Sequence, residues 1–128
     1  MPDKIWLSKP HISSFELNFV EEAFKSNWLT THGENIDNFE KDLENYLENE
    51  KFVLALNSGT SALHIALILL NVKSNDEVIC PSFTFCASAN PILYQNATPI
   101  FVDSELETWN ISPYYLEEAI KDRILKGK

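Results

Sequence analysis

Residues 53–70, VLALNSGTSALHIALILL, constrain the fold more than any other stretch, because they join an apolar strand to an apolar helix through a small polar turn. Val53–Leu56 is a short apolar run of the kind found in a parallel strand covered on both faces. Ser61–Leu70 is rich enough in Ala and Leu to be a helix. Between them lie Asn57, Ser58, Gly59 and Thr60. A strand entering a helix through these residues leaves the first helical N–H groups unpaired, and Gly59 lets a ligand approach the backbone. That arrangement is an anion site: the helix dipole contributes about 0.3–1 kcal/mol for a negative group, and the Ser58 and Thr60 hydroxyls are further donors to a phosphate. Taken alone, Ser and Thr at a helix start are caps more often than phosphate ligands.

The chain has the length of one ordinary domain or a piece of a larger one, and its 45% hydrophobic content predicts a substantial core. With 19 acids against 10 bases, the net charge of −9 argues against nucleic acid or an acidic membrane surface as partner. A negatively charged ligand must then be held locally, by backbone and hydroxyl donors. Cys80 and Cys86 do not form a disulfide framework, and no Cys or His pair has zinc spacing, so no metal is expected and a reducing, cytoplasmic setting fits best. The N-terminus, MPDKIWLSKPHISS, lacks a signal-peptide apolar run, and the longest apolar run, near residues 65–70, is too short to span a bilayer.

Along the chain, residues 1–12 read as an extended arm. Ser13 or Ser14 is placed to cap a helix running to about Asn27, with Phe15, Phe19, Val20, Ala23 and Phe24 on one face. A loop, NWLTTHGE, follows. A second helix from about Asn35 carries Ile36, Phe39, Leu43, Tyr46 and Leu47 at helical spacing, with Glu40, Asp42, Glu44 and Glu48 expected to face water. After the organising unit come a strand over Glu77–Cys80 closed by Pro81, a helical stretch Thr84–Tyr94 that Pro91 should kink or restart, a strand over Thr98–Asp103, and a helix opened by Pro113. Strand and helix alternate from residue 52. This predicts a parallel sheet with right-handed crossovers and helices on both faces, and places Ser58–Thr60, Pro81–Phe85 and Asp103 at the carboxyl ends of the strands, where such folds bind ligands.

Phe85, just past a strand end, suits stacking on a planar ring or simple core packing. No Gly-x-Gly-x-x-Gly and no Gly-Lys-Ser/Thr loop is present, which argues against dinucleotide and Walker-type sites. His64 reads as a packed, hydrogen-bonded histidine and Cys86 as a small hydrophobe, while His11 and His32 suggest no chemistry.

Three segments in order, NWLTTHGENIDNFEKDLENYL, ALNSGTSALHIAL, and DEVICPSFTFCASANPILYQNATPIFVD followed by WNIS, resemble the N-terminal part of the DegT/StrS family of sugar aminotransferases. The resemblance implies an α/β fold, the N-terminal part of the large domain of type I pyridoxal 5'-phosphate (PLP) enzymes. It assigns Gly59, Thr60 and Ser61 to the cofactor phosphate and Phe85 to the face of the pyridine ring. It also assigns Trp28, Thr30 and Thr31 to the loop beside the sugar-nucleotide pocket, a loop that in the family usually continues with a Gly and often a Pro, whereas here His32 precedes Gly33. Residues 1–50 would then be an arm with two helices, and 51–128 the truncated first part of the cofactor-binding domain.

By the same resemblance, the whole enzyme moves an amino group from glutamate to a keto carbon of a nucleotide-linked deoxysugar, in cell-surface glycan synthesis, as a homodimer. The Schiff-base lysine and the aspartate that pairs with the ring nitrogen belong to later sequence. None of the nine lysines here occupies the lysine's position. The chain is therefore expected to be the inactive front third of an enzyme. Two alternatives remain: a PLP-dependent sugar dehydratase of the same fold, and a non-catalytic α/β module.

Overall fold

The structure, a computed structural model, describes residues 4–48 and 51–127. The chain divides into two compact units, Met1–Ala55 and Leu56–Lys128.

The first unit holds helices α1 (Glu16–Lys25) and α2 (Glu34–Tyr46). Neither Ser13 nor Ser14 is the N-cap expected of it: α1 begins after Phe15, which makes no side-chain cap bond, and Ser13 acts just ahead of it. Its N–H and hydroxyl both donate to the Glu16 carboxylate, at 2.7 and 2.9 Å, and these bonds hold the Glu16 carboxyl below its usual range. The helix ends on Asn27 at φ 55°, with Trp28 N–H donating to Ala23 carbonyl and Asn27 N–H to Phe24 carbonyl. That is a Schellman closure with Asn in the left-handed position usually given to Gly. Phe15, just before α1, and Phe19, Val20 and Phe24 within it remain exposed.

Two expectations fail in this unit. Val53–Leu56 forms neither helix nor strand: among the described residues no strand pairs with it. Its amides go instead to carboxylates of α2, Ala55 N–H to Glu40 Oε1 at 2.7 Å and Val53 N–H to Glu44 Oε1 at 3.1 Å. Glu40 and Glu44 are consequently half-buried and do not form a solvated face. The reason is the acceptor shortage of a segment outside helix and sheet, whose N–H groups must find some partner.

The second unit runs α3 (Gly59–Leu69), β1 (Glu77–Pro81), a 3-10 turn (Cys86–Ser88), α4 (Asn90–Tyr94), β2 (Thr98–Val102) and α5 (Pro113–Leu125). β1 and β2 pair in parallel from Glu77 opposite Thr98 to Pro81 opposite Val102, so their carboxyl ends are level. Pro91 restarts the helix as anticipated, sitting in the first turn of α4, where its missing N–H costs nothing. α3 and α4 each end on a left-handed asparagine, Asn71 (φ 61°) and Asn96 (φ 54°), closed by Val72 N–H to Leu67 carbonyl and Ala97 N–H to Ile92 carbonyl. With only three glycines in the chain, asparagine carries this role.

The core is smaller than composition suggests. Cys80, Ile92 and Ala97 are buried, with Leu67, Val72, Val78 and Ala89 partly buried around them. α3 is apolar around its circumference, and Leu63, Ile65, Ile68 and Leu69 are exposed. Two strands shield one small layer only, and a helix apolar on every side is patterned for burial on more than one. His64 meets its expectation, lying 2.6 Å from Gln95 Nε2 and edge-on to Tyr94. No helix among the described residues is long and apolar enough to cross a membrane.

Candidate functional site

The turn leading into α3 is built from its own side chains. Ser58 is extended (φ −163°, ψ 156°), and its Oγ accepts the Ser61 N–H at 3.1 Å. Ser61 Oγ donates to Asn57 Oδ1 at 2.8 Å and lies 3.0 Å from Ser58 Oγ. With the Ser61 proton given to Asn57, the Ser58 hydroxyl proton is the one that fills the Ser58–Ser61 contact. Both serine hydroxyls and the Ser61 amide are therefore engaged within the turn. That leaves the Gly59 N–H, the Thr60 N–H and the Thr60 hydroxyl, for which no acceptor occurs among the described residues. Ala62 N–H already closes on Ser58 carbonyl at 3.1 Å. The donors that sequence assigned to Ser58 are thus spent on the cap, and Gly59 and Thr60 carry the free ones.

Gly59 also supplies room. A Cβ built there meets no atom within 4 Å, so the space beside the glycine backbone at the start of α3 is open. No lysine or arginine occurs in residues 57–61. The site attracts an anion through neutral donors and the helix dipole alone.

The same unit carries the loop after β1. Ser82 N–H donates to Val102 carbonyl at 2.8 Å, and Ser82 Oγ donates to Asp103 Oδ1 at 3.3 Å, tying that loop to the end of β2. Phe83 packs on Trp109 with ring centroids 5.4 Å apart, a pairing for which nothing in the sequence is a signal. Phe85 stays free: the residue is 78% exposed and opens the 3-10 turn, against which α3 packs. Cys86 is exposed in that turn and is not the packed hydrophobe expected of it. Cys80 is buried at the end of β1, and burial pushes its thiol pKa up, away from nucleophilic use. Beyond β2, hydrogen bonds from the Thr108 hydroxyl and amide hold the Glu105 carboxyl below its usual range and shape the loop carrying Trp109.

Trp28, Thr30 and Thr31 lie in the first unit, in the loop between α1 and α2. They line a groove of about 920 Å³ together with Glu22, Ser26 and Asn35. Trp28 Nε1 donates to His32 carbonyl, and the indole lies against Gly33. Gly33 has φ 137° and ψ −179°, a conformation essentially restricted to glycine, and a Cβ there would overlap the Trp28 ring. Gly33→Ala is accordingly expected to cost about 1–3 kcal/mol of local stability and to release the indole, read as a red shift in Trp28 emission in a Trp6→Phe/Trp109→Phe background. An unchanged emission maximum would refute this role for Gly33.

A sequence profile of the DegT/DnrJ/EryC1/StrS aminotransferase family matches residues 10–126. EpsN of Bacillus subtilis is 49% identical over 127 residues, covering 99% of this chain and 32% of its own length. GDP-perosamine synthase of Escherichia coli O157:H7 is 38% identical over 117 residues, covering 90% of this chain and 31% of its own. Among solved structures, the PLP form of Spr1654 from Streptococcus pneumoniae superposes with a TM-score of 0.79 at 36% identity, over 90% of this chain and 29% of that one. The chain thus spans about a third of the length of the relatives it matches.

Proposed function

We propose, from the premise that this chain belongs to the DegT/DnrJ/EryC1/StrS aminotransferase family, that it is the front part of a PLP-dependent enzyme aminating a nucleotide-linked keto sugar. The observation that carries this reading is the turn at Gly59–Thr60, with two free N–H groups, a free hydroxyl and open space above the glycine. A phosphate monoester fits those donors. Gly59 and Thr60 grip it through backbone and hydroxyl, while Ser61, held by Ser58 and Asn57, keeps the turn in shape. Phe85, exposed and at the head of the adjoining turn, covers one face of a planar ring. Trp28, Thr30 and Thr31 line the groove assigned to the sugar nucleotide.

When bound, PLP supplies the electron sink that lets an amino group leave one carbon and join another. The residues of this chain contribute grip and orientation; they exclude water from the ring face through Phe85 and move no proton. A sugar nucleotide as acceptor is supported by the name of one relative, GDP-perosamine synthase; glutamate as donor, a homodimer and a cytoplasmic setting complete the reading on the family resemblance. The test is a titration with PLP and, separately, with UDP- and GDP-hexoses. PLP is expected to bind the chain reversibly and, once unbound cofactor has been dialysed away together with the transient imines it forms at surface lysines, to leave no borohydride-stable adduct. An adduct that survives dialysis and is then trapped by borohydride, or no saturable binding of PLP at any concentration, would overturn the assignment of these residues to cofactor grip alone.

A further inference from the structure

The carboxylates of α2 that meet residues 53–55 form a regular pattern. Glu40 and Glu44 are four residues apart on a helix, a rise of about 6 Å, and Val53 and Ala55 are two residues apart, which in extended chain is a rise of about 6.6 Å. The two spacings match, so two carboxylates in one row engage two N–H groups of one edge, at 2.7 and 3.1 Å, in antiparallel order. Both glutamates are half-buried, whereas Asp42 between them is exposed. The segment they hold, FVLAL, has no charge, no proline and strong strand-forming character, the composition that pairs edge to edge between molecules. Phe52 is fully exposed and Leu54 is 68% exposed.

We propose that Glu40 and Glu44 are an edge guard: their carboxylates occupy the Val53 and Ala55 amides and close that edge to strand pairing with the same segment of a second copy of this chain. A carboxylate only accepts, so an incoming strand meets its own carbonyl oxygens set against negative charge and finds no N–H left to bond. Protection of this kind acts before any subunit interface and needs no bound cofactor.

Amide exchange on the chain in solution tests it. The Val53 and Ala55 amides are expected to exchange at least ten-fold more slowly than those of Leu54 and Leu56; equal protection at all four positions would overturn the proposal without any variant. Glu40→Ala/Glu44→Ala should abolish the difference and raise the rate of self-association, followed by light scattering and thioflavin fluorescence, at least five-fold. Glu40→Gln/Glu44→Gln removes the same charge but keeps an oxygen acceptor at each position, and is expected to stay protected and dispersed. Association of the Gln variant at the rate of the Ala variant would assign the effect to net charge and refute the guard. Exchange at Cys80 and Ile92, in the other unit, reports that folding elsewhere is intact.

Discussion

Replacing Ile92 by alanine is expected to destabilise the Leu56–Lys128 unit by about 3 kcal/mol, within the range for a buried Ile cut to Ala. Ile92 is 2% exposed and sits where Cys80 and Ala97 meet, and its carbonyl accepts the Ala97 N–H that closes α4. Few other side chains are fully buried, so little remains to collapse into the space left behind. Against a typical domain stability of about 5–15 kcal/mol, a loss of this size lowers the urea midpoint by a large fraction. Leu93→Ala, at 55% exposure on the next residue, is the control and should change it far less. Equal effects of the two substitutions would mean that the buried cluster is not what holds this unit.

Gly59→Pro should separate folding from binding, by moving them in opposite directions. Gly59 is the first helical residue, where proline is well accommodated, and Ser58 before it is already extended, as a residue preceding proline must be. Open space around the glycine leaves room for the ring. The substitution is therefore expected to stabilise the chain by about 0.4–1 kcal/mol through the unfolded state. It also removes one of the two free N–H donors, and a charge-assisted hydrogen bond of that kind is worth about 1.5–3 kcal/mol. PLP affinity should fall by at least ten-fold while the thermal midpoint holds or rises. Unaltered affinity would remove the Gly59 amide from the account.

Much of this arrangement is legible in the sequence. The periodicity of Phe15 to Phe24 and of Ile36 to Leu47 located α1 and α2 to within a few residues, and Pro91, Pro99 and Pro113 marked a restart, a strand and a helix start because proline tolerates so few positions. What escaped has a common physical source. An apolar run such as Val53–Leu56 is patterned as a strand but says nothing of which partner its N–H groups will find. Glu40 and Glu44 look like any solvated acids until the segment that needs acceptors is folded against them. Composition likewise counts apolar residues without saying which are covered, and α3 is apolar on faces that nothing in its own unit shields. At the candidate site, the sequence identified the turn but not its internal wiring. That Ser58 and Ser61 spend their hydroxyls on each other and on Asn57 follows from geometry alone, and it shifts the weight of phosphate binding to Gly59 and Thr60.

Titration of ¹⁵N-labelled chain with PLP, followed residue by residue, puts the phosphate-turn assignment to its most direct test. Saturable shifts are expected at the amides of Gly59 and Thr60, smaller ones at Ser61, and ring-current changes at Phe85, with inorganic phosphate reproducing the amide shifts but not those of the ring. Shifts absent from Gly59 and Thr60, or centred on a different segment, would contradict it.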